Sequence, residues 1–180
     1  SEVLKLVFQS LKAKRKIKFD NNLRKKADNK MINPEEDGIT HINIYSKGKT
    51  DLGRMLSNFA KFPIETVDGK FMSVEGYWYW LGIEACKERE QLRNCYGFWA
   101  KKTGEEILKA KSKAFDSDFE SKILQAIWYK FKRQSELILP QYRDLPFEHY
   151  YNYGGKIVDV KGKYQWMIDG ISKMREELIL

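Results

Sequence analysis

The arrangement in this sequence with the clearest chemical potential is a carboxylate among aromatic side chains. Ser73 precedes a helical stretch, and serine favours that position because its side chain accepts a backbone N–H of the first turn. Glu75 then falls within that turn, where the backbone dipoles favour a negative charge. Trp78, Tyr79 and Gly82 follow one or two turns along the same side. These residues fit a ligand site, and they also fit a helix start in which Glu75 has only a structural role.

The aromatic residues that follow weaken the second alternative. Tyr77–Trp80 are four consecutive aromatic residues, which a helix projects in directions about 100° apart. All four rings therefore cannot face one core, and we expect at least one of them to line a cleft. Upstream, Ser57 and Asn58 form a polar turn, and the dipeptide Asp68-Gly69 is typical of a tight hairpin turn.

The segment 56–80, LSNFAKFPIETVDGKFMSVEGYWYW, resembles the signature of the NADAR family of YbiA-like domains. That signature has an SNF turn, a Pro-Ile or Pro-Phe, a DGK-type turn and a helix start with serine and glutamate. In that family the last glutamate, Glu75 here, is implicated in cleaving an N-glycosidic bond. Family activities are hydrolysis of ribosylaminopyrimidine intermediates of the riboflavin pathway and removal of ADP-ribose from guanine bases.

Two looser motifs extend the resemblance over roughly residues 42–178. The stretch GFWAKKTG, residues 97–104, matches the G-x-x-A-K-x-x-G spacing common in the family. Lys101 is then a candidate contact for a phosphate or for the substrate, although a solvated surface lysine fits the spacing equally simply. Phe115 stands where the family has a tryptophan, which keeps an aromatic platform but removes an N–H donor.

The second of these motifs lies around residues 147–156, FEHYYNYGGK, and it departs from the family pattern E-x-s-x-x-D-x-x-W-G-x-G. Tyr150 occupies the position of the aspartate, with Glu148 and His149 just before it. Tyr153 and the following Gly154 take the place of the Trp-Gly pair. Either Glu148 or His149 replaces the missing acid, or the chemistry rests on the first glutamate alone.

The resemblance implies catalytic roles for Glu75 and Asn58, and nothing visible in the sequence requires a metal or a cofactor. Cleavage of a glycosidic bond passes through an oxocarbenium-like state, so a fixed carboxylate stabilises that charge or activates a water. Asn58 is a candidate to bind ribose hydroxyls or to orient Glu75. The basic loop 46–54 lacks the spacing of a nucleotide P-loop, but it precedes the family core. The predicted substrate contacts are Arg54 and Lys101 for a diphosphate, Trp78 or Tyr153 for a base, and Ser57, Phe115, His149 and Gly154.

The positive charge of the chain is concentrated near its start. Of a net charge of +8, residues 1–33 carry +7, from ten Lys and Arg against three acidic residues. Such a segment suits binding to nucleic acid, and it equally suits a solvated helix face. Periodicity predicts an amphipathic helix over residues 2–14, followed by a polar connector to residue 40.

Residues 41–180 are predicted to form one NADAR-like domain of the α+β class, mostly helical with a small β-sheet. The alternation in ITHINIY predicts a strand over 39–45, and an apolar stripe predicts a core helix after Asp118. A second amphipathic helix closes the chain. Two cysteines without metal-ligand spacing indicate free thiols, and neither a membrane span nor a signal peptide is predicted, which favours a cytoplasmic location.

Three hypotheses follow for the function. The first is an N-glycosidase that removes ADP-ribose from nucleobases, guanine in DNA more readily than RNA, because the basic segment favours a polymeric substrate. Such an enzyme would act like an antitoxin, protecting a host or phage genome from a toxin that ADP-ribosylates DNA. The second is a nucleic-acid-binding protein without catalysis. The third is a sensor that binds ADP-ribose or NAD without turnover. If the protein is an enzyme, hydrolysis of a riboflavin-pathway intermediate is the alternative to removal of ADP-ribose.

Overall fold

The computed structural model describes residues 31–180. The predicted N-terminal helix and most of the predicted connector lie outside these residues, so the domain boundary at residue 40 stays a prediction. Within the described part, no helix has the length and apolar character needed to cross a membrane. The helices are α1 (Asp51–Leu56), α2 (Val74–Leu81), α3 (Gly97–Lys111), α4 (Phe119–Arg133) and α5 (Gln165–Leu178).

Six short strands form three separate two-stranded sheets. Their bounds are β1 (Ile42–Asn43), β2 (Ile64–Thr66), β3 (Gly69–Phe71), β4 (Phe147–Glu148), β5 (Tyr150–Tyr153) and β6 (Lys156–Asp159). Strands β1 and β4 pair in parallel, whereas β2–β3 and β5–β6 are antiparallel hairpins. The prediction of a mostly helical α+β fold is confirmed. Short 3₁₀ helices lie at Pro34–Glu36, Glu88–Asn94, Ser135–Leu137 and Pro140–Tyr142.

The core forms around the apolar stripe of α4, as its periodicity predicts. Ile123, Leu124, Ile127 and Phe131 are fully buried, and they pack against α2 on one side and α5 on the other. The approach of α5 is close at Gly170, where an added Cβ would lie 2.5 Å from Leu124. The buried residues of α5 also follow a helical period, namely Met167, Ile168, Ile171 and Met174.

The local predictions around Glu75 are confirmed. Gly69 takes a φ of +105° in the β2–β3 turn, a conformation that favours glycine. The Ser73 hydroxyl accepts the N–H of Gly76 at 3.0 Å and donates to the carbonyl of Cys95 at 2.8 Å. Helix α2 therefore starts where the sequence predicts.

The strand predicted over residues 39–45 is much shorter than expected. Only Ile42 and Asn43 pair as a strand, and His41 and Asn43 are buried along with Ile42 and Ile44, whereas Ile39 is exposed. The side chain of Asn43 forms hydrogen bonds of the kind that strand backbones form. Its amide group donates to the Tyr150 carbonyl and accepts the Tyr150 N–H, both at 3.0 Å. A buried polar side chain that pairs with backbone in this way breaks the simple alternation on which the prediction rested.

Candidate active site

A cavity of about 600 Å³ opens beside the N-terminal half of α2. Its walls come from five parts of the chain: the loop after β1, the Ser57–Asn58 turn, α2, the start of α3, and the region from β4 to α5. The lining residues are Ile44, Tyr45, Ser46, Lys47, Ser57, Asn58, Phe59, Glu75, Trp78, Tyr79, Phe98, Lys101, His149, Tyr151, Tyr153, Tyr164 and Met167.

Glu75 is held in the first turn of α2 with its side chain at the cavity. Its backbone N–H donates to the carbonyl of Asn58 at 2.9 Å, which ties the helix start to the polar turn. Burial raises the pKa of Glu75 to about 7, an effect that Lys101 opposes and Glu105 reinforces through their charges. Desolvation thus outweighs the favourable helix dipole, and Glu75 exchanges protons near neutral pH.

Asn58 presents an unused acceptor at the cavity. Its Oδ1 atom is buried and has no hydrogen-bond partner in the part of the chain that the structure describes. Its amide nitrogen lies 3.7 Å from the Met167 sulfur, a weak acceptor. A buried acceptor without a partner is costly, so a ligand that donates a hydrogen bond to Oδ1 would recover that energy.

A buried lysine of the core helix α4 forms a hydrogen bond with the Ser57–Asn58 turn. Lys130 of α4 is 1% exposed, and its ammonium group donates to the Ser57 carbonyl at 2.9 Å. Burial lowers the pKa of Lys130 to about 7. No role for Lys130 was predicted from the sequence, although its place beside Phe131 within the apolar stripe was a usable signal.

A belt of rings continues from Trp78 along the cavity wall. Successive ring centroids are 5.7 Å apart from Trp78 to Tyr164, from Tyr164 to His149 and from His149 to Tyr151, and 6.1 Å from Tyr151 to Tyr153. Of the tyrosines in this belt, only Tyr153 was predicted from the sequence as a site residue. The others come from β5 and from the turn before α5, and their spacing carries no signal of its own.

His149 is oriented by the backbone. Its Nδ1 lies 2.7 Å from the Ile44 carbonyl, which can only accept, so Nδ1 carries the hydrogen and Nε2 is an acceptor in the neutral ring. Burial lowers the pKa of His149, which favours that neutral form. The residue can therefore accept a hydrogen bond from a ligand without adding charge.

The G-x-x-A-K-x-x-G motif brings Lys101 to the cavity through helix packing. Gly97 starts α3 with a φ of +57°, and Ala100 is fully buried. At Gly104 the helix comes so close to α2 that an added Cβ would lie 2.2 Å from the Tyr79 ring. Together with Lys47, Lys101 gives the cavity lining two cations.

Three of the predicted substrate contacts are not part of the cavity lining. Arg54 lines a neighbouring depression, where it donates to the Gly48 carbonyl at 2.6 Å and pairs with Asp51. Phe115 stacks on Phe119 and meets Trp78 edge-on at 6.5 Å, so it supports a lining residue from behind.

Gly154 is the third of these contacts. It sits in the β5–β6 turn with a φ of +59°, a conformation that the turn requires. The turn geometry accounts for a glycine here, and a contact of Gly154 with a substrate stays a prediction.

The structure also places the candidates for a second acid. The Tyr150 hydroxyl lies in the core and hydrogen-bonds His41 at 2.8 Å, and Glu148 pairs with Lys161 at 3.1 Å. Of the two replacements suggested by the sequence, only His149 lines the cavity. Glu75 is the one carboxylate of the lining within residues 31–180, and the same residues hold no cluster of three or more His, Cys, Asp or Glu suited to a metal ion.

Comparison with protein-family models finds no match to this chain, and comparison with curated proteins finds none either. Among solved structures, the NMR structure of the E. coli protein YbiA is similar, with a TM-score of 0.54 and 23% sequence identity. The similarity covers 82% of this chain and 94% of the YbiA chain. The likeness is one of fold, and it agrees with the fold that the sequence resemblance implies. The chain therefore has a YbiA-like α+β fold.

Proposed function

We propose that the protein is an N-glycosidase that hydrolyses the bond between a ribose and a nucleobase, with ADP-ribosylated guanine in DNA as the preferred substrate. The observation that carries this proposal is Glu75, whose carboxyl group has a pKa of about 7 in a cavity lined by rings and cations. Groups that transfer protons near neutral pH are the ones that general acid–base catalysis needs.

The reaction needs one proton to be taken up and one to be returned. As the C1′–N bond breaks, positive charge develops on the ribose, and the Glu75 carboxylate stabilises it. The same carboxylate removes a proton from the water that attacks C1′, and the departing base takes up a proton. Because the pKa of Glu75 is near 7, the group can accept the first proton and release it again.

The remaining lining residues suit the parts of an ADP-ribosyl nucleobase. The aromatic belt from Trp78 to Tyr153 offers faces for stacking a base. The free Asn58 Oδ1 is an acceptor for a ribose hydroxyl, and Lys47 and Lys101 supply positive charge for the diphosphate. A volume of about 600 Å³ lies within the usual range for sites that enclose small ligands.

A sensor of ADP-ribose without turnover is the second candidate. It is favoured by the single carboxylate of the cavity lining, since Tyr150 replaces the second acid of the family pattern and lies in the core. Hydrolysis of a ribosylaminopyrimidine would use the same carboxylate on a smaller substrate, and it would leave the two lysines without a diphosphate to bind.

The test is release of ADP-ribose from an oligonucleotide that carries ADP-ribosylated guanine, followed by mass spectrometry. We expect Glu75→Gln to lower the rate by about 10²-fold or more, the usual value of an acid–base group. The matched control is Glu106→Gln on the exposed side of α3, where the carboxylate pairs with Lys109 at 2.8 Å and is not part of the cavity lining, and this variant should keep full activity.

Each other outcome has a definite meaning. Release by the wild-type protein and by Glu75→Gln at equal rates would remove Glu75 from the mechanism. Saturable binding of ADP-ribose with no release from any substrate would establish the sensor. Release of the base from a ribosylaminopyrimidine alone would move the activity to that small substrate.

A further inference from the structure

The first turn of α3 exposes an aromatic ridge, defined as Tyr96, Phe98 and Trp99. The exposed fractions of these residues are 38%, 68% and 53%. The rings of Tyr96 and Trp99 are 5.8 Å apart and meet edge to face. Large apolar side chains that are exposed next to one another often mark an interaction site, whereas single exposed apolar residues are common on any protein surface.

Helix packing does not account for the ridge. Helix α3 uses Ala100 and Gly104 to approach α2, so small residues make that contact and the large rings stay in solvent. The described residues thus leave between 38% and 68% of each of these residues exposed. That exposed aromatic surface is available to a partner.

The ridge is surrounded by positive charge. The Lys61 ammonium lies 5.0 Å from the centre of the Tyr96 ring. Lys101 and Lys102 follow Phe98 by three and four positions, which places them on the same side of the helix. Residues 96–103 contain no acidic residue, and Glu105 and Glu106 follow one turn further along the helix, where Glu106 pairs with Lys109. The end of α3 that carries the ridge therefore suits an aromatic and anionic partner.

The ridge is continuous with the candidate active site. Phe98 belongs to both, since it is exposed and also lines the cavity beside Lys101. A polymer bound along the ridge would thus reach the mouth of the cavity that contains Glu75.

We propose that the aromatic ridge binds the bases of a single-stranded nucleic acid next to the nucleotide that enters the cavity. Bases of a single strand have free faces that stack on aromatic side chains, whereas those of a duplex are already stacked. The lysines around the ridge bind the phosphates of the same strand. The proposal rests on the proposed function in that it places the substrate base on such a strand.

The test measures binding and needs no hydrolysis. Fluorescence anisotropy with an unmodified single-stranded oligodeoxynucleotide would compare the full-length protein with Trp99→Leu and Trp99→Phe. Leucine keeps an apolar side chain but removes the ring, so we expect the Kd to rise about fivefold or more, as loss of one stacked base predicts. Phenylalanine keeps a ring and should retain most of the affinity.

The matched control is Tyr129→Ala on α4. Arg133 lies 3.5 Å over the Tyr129 ring, so this pair also joins a ring to a cation, but it is not part of the cavity lining. Its Kd should change less than about twofold, because no base stacks there. A thermal melt of each variant would show that the fold is intact.

Three results would overturn the proposal. They are equal affinity of Trp99→Leu and the wild-type protein for the single strand, equal affinity of the wild-type protein for a duplex, and loss of self-association in Trp99→Leu with DNA binding unchanged. Ring-dependent DNA binding without hydrolysis of any modified base would confirm the ridge and refute the proposed glycosidase, so the two failures are distinguishable.

Discussion

The two faces of helix α2 differ in how completely their polar groups are satisfied. On the core face, the Tyr77 hydroxyl donates to Asp68 at 2.7 Å and the Trp80 indole donates to Glu90 at 3.0 Å. Arg89 stacks over the Trp80 ring at 3.7 Å, and its buried Nε, which has no hydrogen-bond partner among the described residues, lies 3.6 Å from the Glu90 carboxylate. This face combines buried aromatic area with hydrogen bonds, and both stabilise the fold.

The cavity face lacks such compensation. No side-chain hydrogen bond from residues 31–180 reaches the Glu75 carboxylate, and Asn58 Oδ1 has no partner there either. These groups cost stability, because burial removes part of their hydration and the described residues supply no hydrogen bond in return. One eight-residue helix therefore carries aromatic residues that stabilise the fold on one face and residues that are available to a ligand on the other.

The largest expected effect is a gain of stability in Glu75→Gln. The pKa of Glu75 rises from 4.5 to about 7 on folding. Between these two pH values the carboxyl group is ionised in the unfolded protein but still protonated in the folded protein. The free energy of unfolding therefore falls as the pH rises from 4.5 through 7. Glutamine removes that loss, which is worth up to about 3 kcal/mol above pH 7.

Urea unfolding at pH 4 and pH 8 would measure this difference. The two proteins should have similar stability at pH 4, and the variant should be more stable at pH 8. Equal stability at both values would contradict the buried charge on the cavity face.

Catalytic activity should increase over the same pH range in which stability decreases. If the Glu75 carboxylate is the active form, kcat/KM should rise about tenfold per unit up to pH 7 and level off above it, which makes the rate at pH 5 about 100-fold lower than at pH 8. The residual activity of Glu75→Gln should lack that inflection. A rate that falls as the pH passes 7 would instead assign the protonated carboxyl as the active form.

Gly104→Ala should damage the cavity face through packing. The new Cβ would lie 2.2 Å from the Tyr79 ring, so the ring or helix α3 must move. We expect a loss of about 1–3 kcal/mol of stability, the usual cost of overpacking, together with a higher KM. Gly162→Ala is the matched control, because nothing lies within 4 Å of its added Cβ. Unchanged stability and KM in Gly104→Ala would show that α3 moves freely relative to α2.

The smallest effect is expected on the core face. Tyr77→Phe removes the hydrogen bond to Asp68 but keeps the ring, and Asp68 retains its ion pair with Lys122 at 3.1 Å. The cost should be about 1 kcal/mol of stability with kcat/KM unchanged, as thermal unfolding and an activity assay would show. A clear loss of activity would break the separation between the two faces.

Local features of the sequence were enough to predict much of this architecture. The cap at Ser73, the turn at Gly69 and the apolar stripe of α4 depend on neighbouring residues and on helical period, and the structure confirms all three. Four consecutive aromatics also predicted that some would leave the core. Trp78 and Tyr79 line the cavity, whereas Tyr77 and Trp80 are buried.

Contacts between distant residues were beyond such patterns. The strand over 39–45 was predicted too long because Asn43 bonds to Tyr150, which lies 107 positions away. Arg54 has the charge expected of a phosphate contact, but its geometry directs it to the Gly48 carbonyl and to Asp51.

Short-range spacing was enough to predict that Glu75 lies at a helix start among aromatic residues. The other groups around the carboxylate come from segments that are distant in the chain and meet only in the folded domain. It brings Lys130 under the Ser57 carbonyl and adds rings from β5 and from the turn before α5. Desolvation by these distant segments raises the pKa of Glu75, and no local pattern encodes that desolvation.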